Sequence, residues 1–160
     1  MDGQATVARW GDGDRRWFLN AWSTIAVDAA ATGGTLDVVT QALPAGYAPP
    51  GHRHTARDEV LVVVRGEVHL TCEGQRWLLG PGGVAHIPRG AAHAIAVSLA
   101  DPADVVFVSS PAGLAGLIGD LGHVVADGDD PRPTAPDLAA LAAAGARHDL
   151  LLDEPGAAAR

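Results

Sequence analysis

The chain has 160 residues, no lysine, and a formal charge of -8 from 11 basic against 19 acidic residues. That length suits one domain with its own core rather than two, and the acidic balance argues against nucleic acid or an anionic membrane surface as partner. Cys72 is the only cysteine, so no internal disulfide can form. No apolar run reaches membrane-spanning length, and the polar N-terminus lacks the apolar core of a signal peptide, so the expected location is the cytoplasm.

Residues 1–15 carry Gly, Asp and Arg with little periodicity and are expected to form a flexible arm. From Arg16 the sequence WFLNAWSTIAVDA mixes aromatic, β-branched and small residues and suits a strand. Trp10, Trp17 and Trp22 cluster here, as a barrel cap or dimer contact rather than a stacking platform for a ligand. The turn Ala31-Thr32-Gly33-Gly34 precedes an alternating strand from Thr35 to Leu43, and Pro44, Gly46, Pro49 and Pro50 then break regular structure.

His52 and His54 are two residues apart, so in an extended chain both imidazoles point to one face and can reach one ion. Glu59 follows a polar turn and opens the apolar run Val60 to Val64, which places its carboxylate where it can return to the same centre. Short strand-like segments follow (EVHLTCE, QRWLL, VAHIP, HAIAVSL and DVVFVS), separated by Gly and Pro turns. With no helical period among them, they predict an antiparallel sandwich or barrel over residues 16–110.

The period changes at Pro111. Leu114, Leu117, Ile118 and Leu121 form one apolar helical stripe, and DLAALAAAGARH predicts a second helix with Thr134 as a candidate cap and Gly145 as a stop. Residues 111–160 are thus expected to be a helical extension packed outside the barrel, ending in a disordered tail.

The spacings G-x5-H-x-H-x4-E-x6-G, over Gly46, His52, His54, Glu59 and Gly66, and G-x5-P-x-G-x2-H, over Gly82, Pro88, Gly90 and His93, resemble the two cupin motifs in order. The flanking segments TGGTLDVVTQALPAG and SPAGLAGLIGDLG, with the later helix, resemble single-domain quercetin-dioxygenase-like cupins. The resemblance implies an all-β double-stranded β-helix, or jelly roll, with His52, His54, Glu59 and His93 as ligands of one metal inside the barrel. It also suggests a homodimer, and a dual role for Glu59 as ligand and catalytic base. The second motif often ends in Asn, where this chain has Val97.

Three imidazoles and a carboxylate suit a divalent ion such as Fe, Mn, Ni, Cu or Zn, and the sequence does not choose among them. Leu61 and Val63 share a strand face with Glu59, and Ile95 and Val97 share one with His93; these four and His86 are the expected pocket lining. His69 is expected to face water, His123 and His148 to lie on the surface of the extension, and Cys72 to fill the core. An apolar cavity disfavours sugar phosphates and favours a small apolar, oxygen-bearing molecule, aromatic or polyketide-like. The expected activity is a quercetinase-like dioxygenase. The alternatives are a non-redox metal enzyme for cyclisation, isomerisation or elimination in natural-product biosynthesis, and a ligand-binding sensor.

Overall fold

The computed structural model describes residues 4–126, 128 and 130–153. Its strands are β1 (Asp14–Phe18), β2 (Ala21–Val27), β3 (Asp37–Leu43), β4 (His52–His54), β5 (Asp58–Arg65), β6 (Val68–Cys72), β7 (Gln75–Leu79), β8 (Val84–Ile87), β9 (His93–Val97), β10 (Ala103–Ser110) and β11 (Leu150–Leu152). Helices α1 (Ala29–Thr32), α2 (Leu114–Leu121) and α3 (Leu138–Arg147) complete the described elements. Two antiparallel sheets, β1-β2-β3-β10-β5-β8 and β11-β4-β9-β6-β7, face each other as a β-barrel. No helix among the described residues is long and apolar enough to cross a membrane.

Alternation gives each strand one inward face, but on β3 that face is the reverse of what the sequence suggests. Leu36 and Val38 read as the apolar side, yet Asp37 and Gln41 face in, because Asp37 caps the next helix and Gln41 bonds buried Ser23. Asp37, Val39, Gln41 and Leu43 of β3 point inward, as do Ala103, Val105, Phe107 and Ser109 of β10 and Glu59, Leu61 and Val63 of β5. Pairing then lines these residues up in rows across the sheet: Asp37, Ser109 and Glu59 form one row, and Val39, Phe107 and Leu61 the next. Gln41, Val105 and Val63 form a third row, with Ser23 of β2 beside Gln41. Gly66 leaves β5 with φ +74°, and a Cβ there would collide with the Pro102 carbonyl oxygen, so only glycine fits this turn.

The N-terminal segment read as a single strand is a hairpin. Leu19 and Asn20 both adopt positive φ, which folds β1 back on β2 and stacks Trp17 edge-on against Trp22, ring centroids 5.4 Å apart. The sequence signal was weak because Leu rarely occupies that conformation. Trp10 is exposed, and Arg15 lies over Trp22, 3.7 Å from the ring centroid. Regular structure begins at Asp14, inside the segment expected to be an arm.

The extension also differs from the expected pair of helices. Residues 150–152 form β11, which pairs with β4 and so belongs to the second sheet. Asp137, not Thr134, caps α3 by accepting from the Ala140 amide, while Thr134 exchanges backbone hydrogen bonds with the Asn20 side chain. Gly145 lies inside α3 and does not stop it, because it lets Leu150 pack against the helix backbone. The tail expected to be disordered lies in 154–160, outside the described residues.

Asp37 anchors α2. Its Oδ2 accepts from the Gly113 and Ala115 amides at 2.7 and 3.0 Å, which satisfies donors that a helix N-terminus otherwise leaves open. Asp37→Ala is therefore expected to cost about 1–2 kcal/mol for the lost cap, read as a lower urea midpoint at unchanged slope.

Candidate metal centre

The two halves of the site meet through one pairing. His52 of β4 stands opposite His93 of β9, and this pair draws the ends of the two motifs together. The ring centroids of His52 and His93 are 4.4 Å apart, those of His52 and His54 4.9 Å, and those of His54 and His93 5.4 Å. One nitrogen from each of the three rings lies within 4.8 Å of the other two. Glu59, at the start of β5, approaches from the facing sheet, with Oε1 3.4 Å from His54 Nε2 and Oε2 3.6 Å from His93 Nε2.

Two of the rings are held in orientation by backbone carbonyls. His52 Nδ1 lies 3.1 Å from the Pro50 oxygen and His93 Nδ1 3.0 Å from the Ala91 oxygen. An Nδ1–H donated to a carbonyl leaves Nε2 as the free lone pair, the arrangement that prepares a histidine for a metal. The proline stretch thus supplies the acceptor for His52.

Both nitrogens of His54 and Nε2 of His93 are buried without a hydrogen-bond partner among the described residues. An unpartnered buried polar group costs about 1–3 kcal/mol, and three in one cluster of ligand-type atoms call for a shared partner. The donor set of three imidazoles and a carboxylate fits a divalent first-row ion. These residues can hold one metal, and its identity is not fixed by them.

The electrostatics of His52, His54 and Glu59 favour the protonation states that a metal needs, while those of His93 oppose it. Burial, followed by the neighbouring His93 and His54, pushes His52 down to about 3, so it is neutral at pH 7. Burial also lowers His54. Burial alone would raise the Glu59 carboxyl, but His54 and His93 beside it outweigh that and hold it below the usual carboxylate range. Burial opposes charge on His93, yet the adjacent Glu59 raises it above its ordinary value.

The four residues line a cavity whose remaining walls are apolar apart from Gln41 and the Tyr47 hydroxyl. Phe18, Tyr47, Ile95 and Phe107 come from the barrel, and Leu114, Leu117, Leu141, Leu150 and Leu152 from the extension. Leu150 and Leu152 arrive beside the ligands because β11 pairs with β4, Leu150 opposite His54 and Leu152 opposite His52. An ion pair at 2.7 Å between Arg53 and the buried Asp153 fastens the end of that strand. The free space amounts to about 60 Å³, room for a few waters.

Of the residues expected to line the pocket, Ile95 does so and the others do not. Leu61, Val63 and Val97 are buried in the core but lie further along their strands than Glu59 and Ile95, off the cavity wall. Phe107, in the row of Leu61, takes its place on that wall. Val97 therefore does not set the polarity beside the ligands. His86 points out of the barrel, because Ala85 and Ile87 face inward on β8, and it lies 3.3 Å from exposed Asp58. None of the three N-terminal tryptophans lines the cavity. His69 is exposed, and His148 bonds Asp120 at 2.9 Å.

Sequence reasoning missed the leucines of α3 and β11, although the apolar stripe of α2 foreshadowed Leu114 and Leu117. It also missed Arg57, whose guanidinium is buried against Gly113 and bonds the His148 carbonyl. An arginine in a polar turn carries no sequence signal of burial.

Comparison with known proteins agrees with the architecture. Residues 39–109 match the family described as Cupin domain. Over 87 residues the chain is 33% identical to quercetin 2,3-dioxygenase of Bacillus subtilis (strain 168), a match covering 54% of this chain and 26% of that enzyme. The chain thus spans about a quarter of that relative. The polyketide cyclase RemF from Streptomyces resistomycificus superposes with TM-score 0.59 at 16% identity, covering 67% of this chain and 80% of RemF. TT1209 from Thermus thermophilus superposes with TM-score 0.58 at 24% identity, covering 68% and 99%. At these identities the two structures speak for the fold alone. Barrel, paired motifs and histidine cluster define a jelly roll with three histidines that could hold a metal ion. Over residues 39–109 the chain matches the cupin domain, and its fold is that of the cupins.

The sign of the pH dependence follows from the site. A histidine whose folded pKa is depressed binds its proton in the unfolded chain first, so stability falls as pH drops below the ordinary histidine value. His52 and His54 act in this sense below 6.5, and Glu59 loses its contribution lower still, as pH falls below 4.5. His93 opposes them, its contribution being full below 6.5 and lost as pH rises through its higher folded value. Urea midpoints of the metal-free protein are expected to fall from pH 7 to pH 4, and His52→Ala to flatten that slope.

Proposed function

We propose that this chain is a mononuclear metal-dependent dioxygenase of the quercetinase-like kind, acting on a small planar, oxygen-bearing aromatic or polyketide-like molecule. The observation that carries the reading is the pairing of an ionised carboxylate and three imidazoles with a wall of leucine and phenylalanine. The cavity lining contains no lysine or arginine, so it offers nothing to pair with a phosphate or a free carboxylate.

A divalent ion held by His52, His54 and His93, with Glu59 beside them, would supply Lewis acidity and, if redox-active, contact with dioxygen. The chain's own residues do the rest. The Glu59 carboxylate, beside His54 and His93, is placed to accept the proton of a substrate hydroxyl that enters there. Pro50 and Ala91 hold the rings of His52 and His93 in place while this happens. The leucine wall excludes bulk water, which strengthens each charge interaction inside.

The small free volume adds a condition. An aromatic guest enters only if Leu141, Leu150 and Leu152 yield, and β11 that carries two of them is joined to the sheet by three residue pairs with β4. The extension is then the movable wall of the site.

The same ligand set accepts zinc, which favours a second reading, Lewis-acid cyclisation, isomerisation or elimination without oxygen. Anaerobic assay separates the two. Flavonol turnover by protein reconstituted with iron, manganese, nickel or copper is expected to stop without oxygen, and Glu59→Gln to lower kcat by about 10²-fold or more. Turnover undiminished without oxygen contradicts the dioxygenase reading.

A further inference from the structure

Away from the histidines and Glu59, two polar side chains lie on the cavity wall, Gln41 and Tyr47. Gln41 is the less usual. It sits inward on β3, a strand flanked on both sides, and is 4% exposed. Its Nε2 donates to the Ser23 hydroxyl at 2.7 Å, and Ser23, its direct partner on β2, is fully buried. That bond fixes one end of the amide. The other end, Oε1, accepts from no side chain or backbone donor among the described residues, and it is not sealed in the core.

A glutamine amide has two polar ends, and burial is costly for whichever is left unpaired. A residue kept only to fill the barrel would be leucine, like Leu43 two positions on. Gln41 instead has a buried serine to orient it and an open carbonyl on an apolar wall. Such an arrangement discriminates strongly between a guest that supplies the missing hydrogen bond and one that lacks it.

The register gives the span. Glu59, Ser109 and Asp37 share a row, and Gln41 is four residues beyond Asp37 along β3. At about 3.3 Å per residue this is about 13 Å along the strand. A guest that reaches both Glu59 and Gln41 is two or three rings long.

We propose that Gln41, positioned by Ser23, is the specificity-determining anchor for a hydroxyl at the far end of a multi-ring aromatic substrate whose near oxygen lies at Glu59 and the histidines. The inference rests on the aromatic-substrate reading and adds to it a second oxygen function and a length.

Kaempferol and galangin test it, because they share the metal-binding end and differ by one distal hydroxyl. Binding of each to the zinc-loaded protein is followed by flavonol absorbance, with metal content and circular dichroism checked for every variant. The wild type is expected to bind kaempferol about tenfold or more tightly than galangin, and Gln41→Leu to bring the two within about twofold by weakening kaempferol alone. Ser23→Ala, a smaller change, is expected to reduce the preference by releasing the amide, and carries the test if the leucine variant does not fold. A preference that survives both substitutions, or equal affinity in the wild type, overturns the anchor and leaves the aromatic site standing. Binding of neither flavonol by the zinc-loaded wild type overturns the aromatic-substrate reading and the anchor with it.

Discussion

Burial of three imidazoles and a carboxylate at one end of a largely apolar barrel is the constraint around which this structure is arranged. His54, Glu59 and His93 are almost fully enclosed, and three ring nitrogens among the histidines have no hydrogen-bond partner among the described residues. Left so, they would subtract several kcal/mol from a fold whose total stability is of order 5–15 kcal/mol. A divalent ion turns the same atoms from a cost into a binding site. The neutral state imposed on His52 by burial and the charge retained on Glu59 are the states in which these groups act as ligands.

The surrounding fold serves that arrangement at several levels. The His52–His93 pair joins β4 to β9, the Pro50 and Ala91 carbonyls set the rings, and β5 brings Glu59 across from the other sheet. The extension closes the same end of the barrel. Asp37, in the row of Glu59, caps α2, while β11 pairs with the strand that carries two of the histidines. The cavity wall formed by β11 and the positions of His52 and His54 are therefore linked through β4.

Much of this was legible in the sequence because it is periodic or fixed in spacing. The H-x-H pair, Glu59 and His93 stand in order with the glycines of their turns, and alternation identified the inward face of β5. On β3 it set Leu36 and Val38 against Asp37 and Gln41 and so pointed to the wrong face. What escaped depends on contacts far apart in the chain. Leu150–Leu152 is three leucines with no pattern of its own, and it becomes a strand only because β4 offers an open edge. Leu61, Val63 and Val97 have the inward parity of cavity residues but pack in the core, while Phe107 and Gln41 from the rows of Leu61 and Val63 reach the wall, a choice parity does not encode. His86 fails for the opposite reason, since Ala85 and Ile87 take the inward positions of β8. Gln41 reads in the sequence as the polar half of an alternating strand, and only the Ser23 pairing shows that it faces in.

The most direct test of the metal centre is X-ray absorption of the protein carrying one equivalent of zinc. One tightly held ion per chain is expected, with imidazole scattering from three histidines, nitrogen at about 2.0–2.1 Å, reduced in His52→Ala and His93→Ala. Failure to retain zinc, or a coordination shell unchanged in both variants, would contradict it.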